Sequence, residues 1–230
     1  MKNKSFDKLR TSPLYITLGA GFIIAAVLAG LFWGGRKSDQ SGNAPDEADA
    51  PLKFLGEIVL SEEVEAILDK KALLVEGLVS GPVIISEVKK TNQANEGLSL
   101  SRILELDQRW RKTEGTDSFI SPFLTNAVAV KVLEFQKSNF GFREIFVTDE
   151  RGLNVGQTNK TTDYYQADEE WWIRAYNSGE GKTYHGLVEF DESAQTEAIS
   201  LYVPIRDPDT ARVIGVTKAV LSTAAIKAEL

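Results

Sequence analysis

From Leu14 to Gly35 the chain runs for 22 residues, LYITLGAGFIIAAVLAGLFWGG, without one charged side chain. At 1.5 Å per helical residue this run crosses a hydrocarbon core of about 30 Å. The competing reading is a cleaved signal peptide, whose apolar region is about 7–15 residues and ends at a small-x-small site. This run is longer and ends on Phe32-Trp33-Gly34-Gly35 followed by Arg36-Lys37, with Tyr15 and Trp33 near its two ends. Aromatic rings favour the membrane interface, so residues 14–35 are expected to be a retained transmembrane helix. Lys2, Lys4, Lys8 and Arg10 precede it and only Arg36 and Lys37 follow, which keeps residues 1–13 cytoplasmic and puts residues 36–230 outside. Small residues recur every four positions (Gly21, Ala25, Ala29 and Ala26, Gly30, Gly34), a face that admits close pairing in a homodimer but is also ordinary membrane-helix composition.

The net charge is -7, yet the first 37 residues carry +5, so the rest carries -12. An acidic outer domain repels phosphate backbones, and no nucleic-acid partner is expected. With no cysteine there is neither a disulfide nor a thiolate metal site, and the single histidine, His185, excludes any site needing two imidazoles.

Residues 36–51, RKSDQSGNAPDEADAP, bury too little apolar surface to fold and read as a flexible tether. The domain is expected over 52–230, with a helical lead-in at 57–140 and a sheet at 141–225. Ser61 caps a helix whose apolar face is Val64, Ile67, Leu68, Leu74, Val75 and Leu78. Gly81-Pro82 interrupts it, VIISEVKKTNQ continues as a second helix, and LSLSRILELDQRW makes a third with Ser99 or Ser101 as cap. One further helix is expected through SPFLTNAVAVKVLEFQKS, with Pro122 in its first turn.

From Phe142 the pattern changes to strands. Ile145-Phe146-Val147 and Leu153–Gln157 flank an acidic turn ending in Gly152, a hairpin signal. DEEWWIRAYNSGEG is a helix with acidic residues in its first turn and Gly179 or Gly181 to stop it. TYHGLVEFD, AISLYVPIRD and RVIGVTKAVLS give three more strands. The expected fold class is α+β: a five-stranded antiparallel sheet with a helical crossover, led in by helices.

The segments EIFVTDERGLNVGQTNKTTDYYQADEEWW, TYHGLVEFDESA, ISLYVPIRD and RVIGVTKAVLS resemble, in that order, the Cache (PDC) family of PAS-like extracytoplasmic sensor domains. The resemblance covers roughly residues 125–225. It implies a bacterial inner-membrane protein whose periplasmic domain binds a small metabolite (an amine, amino acid or organic acid) in a pocket on one sheet face, with no cofactor and no catalysis. The amino-acid-binding members place an Arg just before their Trp. Here Glu169-Glu170 precede Trp171-Trp172 and Arg174 follows, so an amino-acid ligand is not implied. TAAIKAEL starts a helix that stops at Leu230. That leaves open a separate signalling partner, a sensor fragment of a longer chemoreceptor or histidine kinase, and a scaffold module that binds no small ligand.

Candidate ligand contacts each have a plainer alternative. Tyr164, Tyr165, Trp171 and Trp172 form an aromatic wall or simply pack; adjacent helical Trps diverge by about 100°, so one faces the core. Asp191, which the resemblance marks as an amine contact, and Ser193 equally suit a turn. Arg174 pairs with a ligand carboxylate, with Glu170, or with water. Tyr184 and Tyr202 sit on strands of unassigned facing, and His185 points away from Tyr184. No nucleophile elbow, HExxH pair or phosphate loop is present, and Asp163, Asp168 and Glu169 lack the Gly turn of a calcium loop.

Overall fold

The structure, a computed structural model, describes residues 60–230. The expected membrane helix at 14–35 and the tether at 36–51 lie outside the described residues. Among those described, no helix is long and apolar enough to cross a membrane.

Helices α1 (Glu62–Val79), α2 (Pro82–Asn95), α3 (Leu100–Lys112), α4 (Ser121–Thr125) and α5 (Ala127–Ser138) precede strands β1 (Phe142–Asp149) and β2 (Asn154–Gln157). Helix α6 (Glu170–Tyr176), strands β3 (Tyr184–Asp191), β4 (Thr196–Arg206) and β5 (Val213–Ser222), and helix α7 (Thr223–Lys227) complete the domain. The five strands form one sheet in the order β2-β1-β5-β4-β3, and every pair is antiparallel. This is the α+β layout expected from the sequence.

Alternation along the strands divides the sheet into two unlike faces. Ile145 and Val147 of β1, Leu201, Val203 and Ile205 of β4, and Ala219 and Leu221 of β5 point to one side. There they meet Leu68, Val75 and Val79 of α1, Ile84 and Val88 of α2, and Val128 and Val132 of α5. A second, smaller core lies under α3 and α4, where Trp110 packs with Ile103, Ile120, Leu153 and Tyr164.

Local chemistry accounts for the boundaries. Ser61 accepts from Val64 N, and Ser99 rather than Ser101 caps α3 by accepting from Arg102 N. The β1–β2 hairpin turns at Gly152 (φ 75°), and Asp149 Oδ1 accepts from Arg151 N and Leu153 N. Asn95 donates to Asp149 Oδ2 at 2.7 Å, which docks the turn on the end of α2.

Two expectations need correction. The single helix read through 121–138 is two helices, because Asn126 adopts an extended ψ of 176° and caps α5 through Ala129 N. Its amide also donates to Val155 O at 2.7 Å, tying the break to the sheet. Helix α6 stops not at a glycine but at Asn177, which takes the left-handed conformation (φ 48°).

Candidate functional site

The sheet face opposite α1, α2 and α5 carries a cleft of about 350 Å³. Its floor follows from register. Phe146 of β1 pairs with Lys218 of β5, Lys218 with Tyr202 of β4, and Tyr202 with Tyr184 of β3. These four side chains therefore form one row across four strands. Trp171, in the first turn of α6, roofs that row. Its ring stacks on Tyr202 (centroids 5.2 Å apart, planes 17°) and meets Phe146 edge-on at 5.8 Å. Tyr184 Oη donates to Trp171 O at 2.9 Å and fixes the roof from the far side.

Polar groups converge around this wall. Glu144 lies two residues before Phe146 on the same face and lines the cleft, although the residue is fully buried (0% exposed). Its Oε1 is 2.8 Å from Ser193 Oγ, and its Oε2 has no hydrogen-bond partner among the described residues. Burial, reinforced by the charge of Asp191, pushes the Glu144 carboxyl up to about 7, against the Ser193 contact and Lys218. Asp191 forms an ion pair with Lys218 at 3.2 Å and accepts from Ala194 N. Burial raises the Asp191 pKa, but Lys218 and the bonds from Ala194 and Ser193 outweigh it and leave the group below its ordinary value.

The rim is the loop between β2 and α6. Asp163 and Gln166 line the cleft beside Thr161 and Thr162. Asp107 of α3 accepts from Tyr164 N and Tyr165 N, Asn154 donates to Thr161 Oγ1 and Asp163 O, and Gln166 N donates to Gly152 O. Burial raises the carboxyl pKa of Asp163, against Gln166 and Arg111. Burial, then Asp163 and Asp168, raise that of Glu169.

Of the nine residues singled out from sequence, Trp171, Ser193 and Tyr202 line the cleft. Asp191 and Tyr184 stand directly behind it, holding Lys218 and Trp171. The other four are elsewhere. Tyr164 belongs to the smaller core, 5.6 Å from Trp110, and Tyr165 packs beside it. Trp172 turns inward, stacks on Tyr176 and donates to Thr148 Oγ1 at 2.9 Å. Arg174 lies 4.2 Å over the Tyr184 ring rather than at Glu170. His185 points to the helix side, where Nε2 is 2.9 Å from Glu65 of α1.

Sequence reading missed Glu144, Phe146, Glu189 and Lys218 on the strands, and most of the rim-loop lining with them. The signal was there for two of them. Lys218 is a single charge inside the apolar run of β5, and Glu144 follows Arg143 just before the apolar run of β1, both at positions whose alternation puts them opposite the core.

The sequence matches no known family model and no curated protein. Among solved structures the chain is similar to the E. coli DcuS sensor domain, at 15% identity and a TM-score of 0.43, over 74% of this chain and 98% of that one. It is also similar to the sensor domain of the V. cholerae histidine kinase DctB (12%, TM-score 0.42, 72% of this chain and 53% of that one). A third is the ligand-binding domain of the Campylobacter jejuni chemoreceptor Tlp3 in complex with 4-methylisoleucine (13%, TM-score 0.37, 73% and 63%). The chain thus spans nearly all of the first domain but only about half of the second. These are sensor domains of the PDC or Cache type, the type that the sequence resembles.

Proposed function

We propose that the chain is a membrane-anchored extracytoplasmic sensor in which residues 14–35 are the anchor, 36–51 the tether and 52–230 the sensing domain. The cleft binds a small solute, and no reaction is catalysed. One observation carries this reading. The sheet face opposite α1, α2 and α5, only partly covered by α6, holds a cleft of small-metabolite size, with an aromatic wall and polar groups converging on it. A scaffold would be expected to fill that space with its own side chains.

Strand β4 offers a route for the signal. Tyr202 faces the cleft while its neighbours Leu201 and Val203 face the helix side, where α1 packs on β4. A solute that shifts Tyr202 biases α1, and through it the N-terminal segment, toward one of two positions. Output then passes through dimer geometry or a separate signalling protein.

The test is a thermal-shift screen of the full chain against amines, organic acids, amino acids and purines. A solute that binds only the native state adds about 2.7 kcal/mol at one hundred times its dissociation constant. A shift that disappears in Trp171→Ala supports the sensor. No shift across the library turns the reading to an envelope interaction module. Strand β3 ends the sheet and leaves Leu187 and Phe190 more than half exposed, which is the feature favouring that second reading.

A further inference from the structure

The charge around the cleft is one-sided. Glu144, Asp163, Glu169, Glu170 and Glu189 line it, and among the described residues Lys218 is the one basic side chain in its wall. That ammonium is already committed to Asp191, an almost fully buried carboxylate (5% exposed) that accepts from Ala194 N as well. The nearby guanidiniums are committed too. Arg111 serves Asp107 and Asp163, and Arg174 lies on the outer side against Tyr184. Among the described lining residues, an incoming carboxylate would meet like charge and no uncommitted cation; the Lys160 ammonium lies outside the lining, over the Trp110 ring.

A second observation, independent of the surface acids, points to an occupant of the opposite sign. Glu144 is fully buried at the cleft, and its Oε2 has no hydrogen-bond partner among the described residues. A carboxylate oxygen held out of water without a donor is costly, and a cationic donor relieves that cost. Beside it, the Trp171 ring, stacked on Tyr202 by one face and already approached by the Lys218 ammonium at 6.0 Å, adds aromatic surface of the kind that attracts an ammonium group.

We infer that the cleft takes an organic cation, an amine or amidine without a carboxylate, seated between the Trp171–Tyr202 wall and the carboxylates of Glu144 and Glu189. The inference rests on the sensor reading above and narrows it to one ligand chemistry. Amino acids fit poorly, because their own carboxylate would go unmet. A bare metal ion is also disfavoured: among the described residues no three acidic or imidazole groups are placed to hold one. The aromatic wall offers such an ion no ligand either.

Binding of a cation is then linked to a proton. The groups facing Glu144 are Ser193 of the β3–β4 turn, Asp191 of β3, Lys218 of β5 and Asn159 of the rim loop. Burial holds its carboxyl near 7, so at that pH about half the molecules keep the proton. A cation that needs the carboxylate expels it, and affinity rises with pH.

Calorimetric titration of the full chain at low salt tests this, with choline, putrescine and agmatine against succinate, malate and alanine. The amines are expected to bind, and to bind about tenfold more weakly at pH 6 than at pH 8 as Glu144 takes its proton. Proton release should appear as a dependence of the heat on the buffer's ionisation enthalpy. Glu144→Gln should abolish the pH dependence, and Trp171→Ala should weaken choline about tenfold or more. Glu189→Gln, at an exposed edge-strand position where folding is not at stake, should weaken the diamines several-fold. Binding of succinate, malate or alanine without the amines overturns the inference and leaves the sensor reading standing. Amine binding indifferent to pH, unchanged in Glu144→Gln, overturns the seat at Glu144. If no compound of any class binds, both readings fall together.

Discussion

The two faces of the sheet are built by the same strands to opposite ends. On the helix side the inward positions of the three central strands are mostly aliphatic, joined by Phe142 and Thr217, and α1, α2 and α5 pack against them. On the other side the same strands present Glu144, Phe146, Lys218 and Tyr202 to a cleft. Burying aliphatic carbon stabilises by about 25 cal/mol per Å², whereas burying Glu144 with one oxygen unpartnered destabilises. The first face keeps the domain folded, and the second carries groups that folding alone does not call for.

That contrast can be broken by experiment. The largest effect is expected at Lys218→Met, which strands the Asp191 carboxylate in a buried site. Loss of one partner of a buried pair costs about 3–5 kcal/mol, readable as a lower urea midpoint at pH 7. Leu201→Ala, on the sealed face, should cost about 2–5 kcal/mol at every pH. A Leu201→Ala cost below 1 kcal/mol would mean that the helix side is not the stabilising face.

Glu144→Gln should do the reverse of both and stabilise. The native carboxyl keeps its proton up to about 7 while the unfolded one releases it near 4.5. Between those values the native state binds more protons, so stability falls as pH rises through that window. Removing the group should therefore gain about 3 kcal/mol at pH 8 and almost nothing at pH 4. Equal denaturation midpoints for the variant and the parent at pH 8 would show that this face carries no such cost. The smallest effect belongs to Asn126→Ala, which removes the α5 cap and the bond to Val155 O. A loss of about 1–2 kcal/mol is expected, seen as a Tm lower by several degrees.

Much of the fold was legible because its signals are local. Ser61 before an apolar face and the acidic turn closed by Gly152 each declare an element within a few residues. The break at Asn126 was not legible, since it depends on an amide that reaches across 29 positions to Val155. The cleft was half legible for a similar reason. DYYQADEEWW reads as one aromatic wall, yet Tyr164 follows a loop held by Asp107, 57 positions away, while Trp171 follows the turn of α6 over the sheet. Glu144 and Lys218 come to one cleft only because β1 pairs with β5, a contact that neither strand's own pattern declares.

The lacing of the rim loop has a consequence for time. Asp107, Asn154 and the Gly152 carbonyl hold residues 161–166 in place, with Trp110 beneath donating to Thr161 O at 2.8 Å. A mouth held this firmly owes little ordering entropy to an arriving solute. On the proposed sensor reading, capture would run near the rate of encounter, and the wall mutations would change how long the solute stays rather than how fast it arrives. A sensor of the proposed kind would track a falling concentration only as quickly as Trp171 and Tyr202 let go.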